Sequence, residues 1–171
     1  MKRIWTVVFI LFCVASFSAA AKEKDSGAAI VDMSKMHRIF IGWSVVDANY
    51  HKLGYGTQQD WDVVVRSANA HFFEMCKSSA LGTGREVVGA KSPDDTNVKD
   101  YDLYIKPVDV SFDYGYRLHI GFDLVDAKTG ANLLHMDAKR YGAHFCALTG
   151  CMNKEFDDAA EDINARLGLH K

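Results

Sequence analysis

The strongest constraint on the fold is the alternation of apolar and polar residues over residues 116–124. The apolar set is Tyr116, Leu118, Ile120, Phe122 and Leu124, and the residues between them are Arg117, His119, Gly121 and Asp123. Successive side chains of a β-strand point to opposite faces, so this segment predicts a strand with one dry face and one solvated face. A sheet of such strands needs a layer of helices over its dry face.

Turn signals on both sides of this strand predict antiparallel neighbours. Asp113-Tyr114-Gly115 precedes it, and a second turn at 126–130 ends in glycine, which tolerates a positive φ. We therefore expect strands over 101–112 and 132–142. The alternation of the first changes phase around Pro107, and because proline cannot donate to a strand ladder, we expect a bulge or an edge position there.

The rest of the chain completes a β-α-β-β-β-β-α order. A central strand is predicted from His37, a helix begins at Thr57 with a capping box to Asp60, and a short strand covers 86–90. Asn153 is expected to cap the last helix. This order predicts an α+β fold, a two-layer sandwich whose mostly antiparallel five-stranded sheet is covered on one face by two helices.

The amino-terminal residues have the three-part pattern of a secretory signal peptide. A positive start (Lys2, Arg3) is followed by an apolar run over 4–17 and by small residues up to Ala21. We expect cleavage after Ala20 or Ala21. The expected organisation is a signal peptide at 1–20, a flexible lead-in at 21–36 and a single α+β domain at 37–171.

Two alternatives to cleavage are an uncleaved anchor and a lipid attached to Cys13, although the bulky Phe12 before this cysteine disfavours the lipid. After cleavage no second apolar segment remains, so we expect a periplasmic or secreted protein without an integral membrane segment. The net charge is −2 and no basic cluster is present, which argues against nucleic acid as a partner. We expect an envelope or secreted protein as partner; the oligomeric state is left open.

Three cysteines remain after the leader: Cys76, Cys146 and Cys151. An exported protein meets an oxidising compartment, where disulfides form. Cys146 and Cys151 are close in sequence, in a connector that also holds Gly150, and we predict a disulfide between them. Cys76 lies on the apolar stripe of the first helix and is expected to be a buried free thiol. A bridge from Cys76 to either of the others is the alternative.

His144 and Cys146 raise the hypothesis of a thiol- or metal-dependent enzyme. On an extended connector their side chains point the same way, so a thiolate could meet a base. Together with His135 and Cys151 they offer four metal ligands, but the spacing does not match the paired motifs of zinc sites. A disulfide would silence the thiol. We therefore expect a non-catalytic protein with no catalytic residue, no metal and no cofactor.

Aromatic residues are concentrated in two predicted loops. One is the glycine-rich loop 47–57 and the other is the first hairpin turn. The candidate binding residues are Tyr50, His51, Tyr55, Tyr114 and Tyr116. Exposed aromatic side chains bind proteins, peptides or glycans. The alternative is that these tyrosines cover the edges of the core with their hydroxyl groups in water.

The order of elements, the strand written DYDLYIKPVDVSF and the hairpin written GFDLVDAKTGANLLHMDAK resemble a recurrent α+β module of the bacterial envelope. Similar domains occur in the periplasmic part of the curli secretion channel, in the amino-terminal domain of the Tol system's propeller protein and in uncharacterised envelope lipoproteins. The resemblance covers about residues 37–167. It implies a docking or assembly role outside the inner membrane and assigns no functional residues.

The sequence thus supports three hypotheses. The first is an exported, non-catalytic binding or accessory module of the bacterial envelope that acts through protein contacts. The second is a small-ligand or glycan binder that uses the loop 47–57. The third is the thiol- or metal-dependent enzyme around His144 and Cys146.

Overall fold

A computed structural model describes residues 31–142 and 148–169. A 3-10 turn, Met33–Lys35, precedes the first strand. The remaining elements are β1 (Arg38–Ile41), α1 (Gln58–Ala80), β2 (Glu86–Gly89), β3 (Leu103–Phe112), β4 (Leu118–Asp126), β5 (Asn132–Tyr141) and α2 (Leu148–Leu167). The predicted order is confirmed. The predicted signal peptide lies outside the described residues.

The five strands form one open mixed sheet in the order β2-β1-β3-β4-β5. β1 lies inside the sheet, next to the edge strand β2, and runs parallel to both β2 and β3. The chain passes from β1 to β2 through α1, which is the kind of crossover that a parallel pair requires. The longer pairings, β3 with β4 and β4 with β5, are antiparallel hairpins. The predicted α+β class and the mostly antiparallel sheet are confirmed.

Both helices cover the same face of the sheet. Phe72 of α1 stacks on Phe122 of β4 with ring centroids 5.7 Å apart. Phe156 of α2 meets Phe72 edge-on at 5.9 Å, and all three side chains are buried. The dry face that the alternation of β4 predicts is therefore the face that packs against the helices, where burial of apolar area stabilises the fold.

Polar contacts fix the start of α1 and the segment that leads to it. Thr57 and Asp60 form the predicted capping box, each side chain accepting the other's backbone N–H at 3.1 Å. Farther along α1, the buried Asn69 accepts the Ser44 N–H at 2.8 Å and donates to the carbonyl oxygens of Ser44 and Val65. The segment after β1 is thus held against the helix.

The irregularity of β3 lies slightly later than predicted. Pro107 remains in register with Phe122, and the register shifts between Val108 and Ser111, where Asp109 has a φ of 52°. β1 pairs with β3 only as far as Ile105, so Pro107 has a ladder partner on one side only. A proline without an N–H is tolerated at such a position.

The prediction for the start of the last helix is wrong. α2 begins at Leu148, so Asn153 lies inside the helix and does not cap it. Its side-chain amide donates instead to Ser67 Oγ of α1 at 3.4 Å. Cys151, which the sequence predicts in the connector, and the adjacent Met152 are both buried in the early turns of α2. Their burial extends the apolar stripe toward the amino terminus of the helix, which favours an earlier start.

Candidate binding site at the tyrosine end

The loop 47–57 begins beside the end of β3. The Asp47 N–H donates to the Val110 carbonyl at 3.0 Å, and the Phe112 N–H donates to the Asp47 carbonyl at 2.9 Å. These two bonds form an isolated parallel bridge between Asp47 and Ser111. The bridge brings the loop next to the turn that follows β3, although more than 50 residues separate the two segments in sequence.

Apolar contacts hold the body of this loop. Leu53 is buried in the core, and Tyr55 packs edge-on against Trp61 at the start of α1, with ring centroids 5.4 Å apart. Tyr50 and His51 lie with their rings 4.3 Å apart. Tyr50 and Tyr55 are half-buried, whereas His51 is exposed. Tyr55 therefore packs at the edge of the core and adds little to the exposed surface.

Asp113 organises the turn between β3 and β4. Its carboxylate accepts the Gly115 N–H at 2.7 Å, the Arg117 N–H at 3.3 Å and the Arg140 Nη2 at 2.8 Å. Partial burial opposes ionisation of Asp113, but hydrogen bonds from Arg140, Gly115 and His119 outweigh it and hold its pKa below the usual range. The turn is thus built around an ionised carboxylate.

Tyr116 takes an unusual backbone conformation in this turn. Its φ is 55°, in the left-handed region that glycine or asparagine normally occupies. For another residue this conformation costs about 1–2 kcal/mol. Tyr114 and Tyr116 are 55% and 38% exposed. Two exposed aromatic side chains are therefore presented by a strained turn, a feature that clusters at binding sites.

A cation–aromatic contact joins the loop to the turn. The Lys52 Nζ lies 4.9 Å from the centre of the Tyr114 ring. We call the surface formed by residues 47–57 and 113–117 the tyrosine end. The structure brings all five predicted binding residues to this end, with Tyr55 turned toward Trp61. Lys52 was missed in the sequence, where its place among Tyr50, His51 and Tyr55 is the only signal.

The chain enters the described fold at the opposite end of the sheet. The backbone N–H groups of His37 and Arg38 both donate to Asp102 Oδ2 at 3.0 Å, just before β3 begins. Lys128, in the turn between β4 and β5, binds the other oxygen of Asp102 at 2.6 Å. The start of β1 and the tyrosine end therefore lie at opposite ends of the sheet.

The cysteines give one confirmed prediction and one that stays open. Cys76 is a free, buried thiol, and burial raises its pKa to about 12. A thiol with such a pKa is not a nucleophile at neutral pH, and a bridge from Cys76 is excluded. His144 and Cys146 lie outside the described residues, so the disulfide between Cys146 and Cys151 stays a prediction, as does an enzyme site around this pair.

His135, the fourth residue of the metal hypothesis, lies on β5 between one aspartate of β4 and one of β5. Its Nδ1 lies 2.7 Å from Asp123 Oδ1 and its Nε2 lies 3.3 Å from Asp137 Oδ1. The hydrogen bond with Asp123 raises the pKa of His135. Across residues 31–142 and 148–169, no three histidine, cysteine or acidic side chains are grouped as metal ligands.

Two other features of the described part of the chain bear on a binding site. A cavity of about 380 Å³ lies between α1 and β2, with Phe73, Lys77 and Glu86 in its wall, and none of the predicted binding residues lines it. Neither α1 nor α2, the helices of this part, has the length and apolar content to cross a membrane.

Comparison with known proteins gives a likeness of general shape. No family model and no curated protein matches the chain. Among solved structures, the dodecamer of a PelC variant from Paraburkholderia phytofirmans has a TM-score of 0.47 at 9% identity, over 79% of this chain and 90% of that one. A second PelC dodecamer from the same organism has a TM-score of 0.43 at 11% identity, over 80% and 89%. At these TM-scores and sequence identities, the likeness does not indicate a function, a partner or an assembly for this chain.

Proposed function

We propose that the chain is an exported, non-catalytic binding module that recognises a protein of the bacterial envelope or secreted space through its tyrosine end. The observation that carries this proposal is the contact of Lys52 with Tyr114, which combines two distant segments into one aromatic surface. Tyrosines are enriched where proteins bind one another, because each side chain offers a large apolar body and a hydroxyl group.

Two further features support a protein partner. The tyrosine end lies at the end of the sheet opposite the start of β1, where Asp102 binds the backbone of His37 and Arg38, so these amino-terminal residues of the described fold do not cover it. Tyr116 also keeps a strained conformation beside the exposed Tyr114, and strain of this kind persists where the surrounding structure enforces it. The amino-terminal sequence pattern supports the exported location.

A site-specific photocrosslinker tests the proposal in the exported full-length protein. Placed at Tyr114, it should capture a defined partner; placed at Leu81, which is 60% exposed at the end of α1, it should not. With the purified partner, Tyr114→Ser should raise the dissociation constant at least about tenfold, as expected for an aromatic hot spot. The matched variant Leu81→Ser should change it less than about twofold.

Three outcomes would contradict the proposal. Capture from Leu81 but not from Tyr114 would place the interface elsewhere. An unchanged affinity of Tyr114→Ser for the captured partner would remove the tyrosine end from the contact. A purified envelope polysaccharide that perturbs the amide resonances of Lys52 and Gly115, with no protein captured at Tyr114, would replace the protein partner with a glycan.

A further inference from the structure

A buried carboxyl group links α2 to the tyrosine end. Glu155 is fully buried, and its Oε2 accepts the Leu118 N–H at 2.7 Å. Leu118 is the first residue of β4 and follows the turn residues Tyr116 and Arg117 directly. The backbone just after the strained residue is therefore held by a single side chain of the helix.

The second oxygen of this carboxyl group, Glu155 Oε1, is buried and accepts no hydrogen bond from residues 31–142 or 148–169. Gly142, with a φ of 111°, packs so closely that a Cβ there would clash with Oε1, and this Cβ would also lie 3.0 Å from the Tyr116 carbonyl oxygen. Glu155 thus sits between the end of β5 and the backbone of Tyr116, with one oxygen unsatisfied.

Charged groups face Glu155 from two elements. Asp113 and Arg117 do so from the turn and Asp158 from α2, whereas the neighbour at the end of β5 is the uncharged Gly142. Burial raises the pKa of Glu155 to about 8; Asp158 and Asp113 add to the rise, and the Leu118 N–H and Arg117 oppose it. Arg117 Nε is also buried and has no hydrogen-bond partner within the described part of the chain.

We propose that Glu155 is a proton-controlled latch on the tyrosine end, which leaves the turn in its present position while its carboxyl group is neutral and rearranges the turn on ionisation. The inference rests on the proposed function, because it concerns regulation of that same surface. An ionised carboxylate in this site needs a cation or water. Arg117 is the cation that faces it, and since Arg117 adjoins Tyr116, its movement toward Glu155 displaces the tyrosine.

The latch predicts a definite pH dependence of stability. The folded pKa of Glu155 lies above its ordinary value of 4.5, so the folded state keeps a proton that the unfolded state loses. Its contribution to stability is complete below about pH 4.5 and declines as the pH rises toward 8. Between about pH 4.5 and 8, ionisation of Glu155 should increase the unfolding equilibrium constant by up to about tenfold per pH unit, so the fold becomes less stable. Glu155→Gln should abolish this increase.

The direct test follows backbone amide resonances of the free protein by NMR between pH 6 and 9. The amides of Gly115, Leu118 and Gly142 should titrate together with a midpoint near pH 8 in the wild type and not in Glu155→Gln. The matched control is Asp157→Asn, because burial also raises the pKa of Asp157, but this residue faces His71 of α1 and not the turn. The control should keep the wild-type titration.

Absence of this titration in the wild type, or its persistence in Glu155→Gln, would overturn the latch. If Glu155→Gln does not fold, the wild-type glutamate carboxyl ¹³C resonances decide: one titrating near pH 8 supports the latch, and all titrating near pH 4–5 refute it. The measurement uses no partner, so it can fail while Tyr114→Ser still confirms binding at the tyrosine end. Conversely, if Tyr114→Ser disproves binding at the tyrosine end, the pH titration of the free protein can still be measured.

Discussion

The two hairpin turns of the sheet share a backbone plan but differ in the residue that takes the left-handed conformation. In each, an aspartate after or at the end of a strand binds backbone N–H groups: Asp113 does so before β4, and Asp126 binds those of Lys128 and Thr129 before β5. The left-handed residue of the second turn is Gly130, with a φ of 74°, whereas in the first it is Tyr116.

The turn of Gly130 thus favours the stability of the fold, whereas the turn of Tyr116 reduces it. Gly130 adopts a positive φ without steric cost, and its turn lies at the end of the sheet where the chain enters. Tyr116 adopts it at a cost of about 1–2 kcal/mol, although glycine is available one residue earlier at Gly115. We therefore assign binding to the turn of Tyr116 and a purely structural role to the turn of Gly130.

The largest expected effect on stability comes from the anchoring aspartates. Asp113→Ala should lower the free energy of unfolding by about 2–3 kcal/mol, because an ionised acceptor of three hydrogen bonds is lost. Asp126→Ala, in an exposed turn, should lower it less. Urea unfolding at neutral pH measures both. An equal or larger loss in Asp126→Ala would contradict the distinction between the turns.

The contribution of Asp113 to stability should also depend on pH. The pKa of Asp113 is lowered in the folded protein, so its stabilising contribution is present above its ordinary pKa of 3.8 and is lost as the pH falls through the folded value. The difference between the wild type and Asp113→Ala should therefore shrink when the unfolding is repeated at acid pH.

A smaller effect is expected at the glycine turn. Gly130→Ala should lower the free energy of unfolding by about 1 kcal/mol, because alanine is strained at this φ while the space for its Cβ is open. Gly150→Ala is the matched control: this glycine lies in α2 with open space for a Cβ, so alanine there should stabilise by about 0.5–1 kcal/mol. Denaturant midpoints that move in the same direction would contradict this assignment.

Local patterns were sufficient to predict much of the fold. The alternation around Phe122 identified the dry face, the pair Thr57 and Asp60 identified the start of α1, and Gly130 identified a turn. Each of these depends on residues within a few positions of one another. The start of α2 was predicted wrongly because the burial of Cys151 and Met152 is decided by tertiary packing and not by the local pattern.

The candidate site could be predicted only in part. The tyrosines were visible in the sequence, but their convergence depends on the bridge of Asp47 to Ser111, which nothing in the local pattern indicates. Glu155 was missed, although a glutamate beside Phe156 in an apolar stripe is the kind of signal that marks a buried acid. Its role depends on the turn and on Gly142, which are distant in sequence.

The most direct test of the central claim, that the turn of Tyr116 gives up stability for binding, is Tyr116→Gly measured for both properties. Urea unfolding should show a gain of up to about 1 kcal/mol, because glycine removes the left-handed strain. Affinity for the partner captured at Tyr114 should fall in the same variant. A loss of stability together with unchanged affinity would contradict the account.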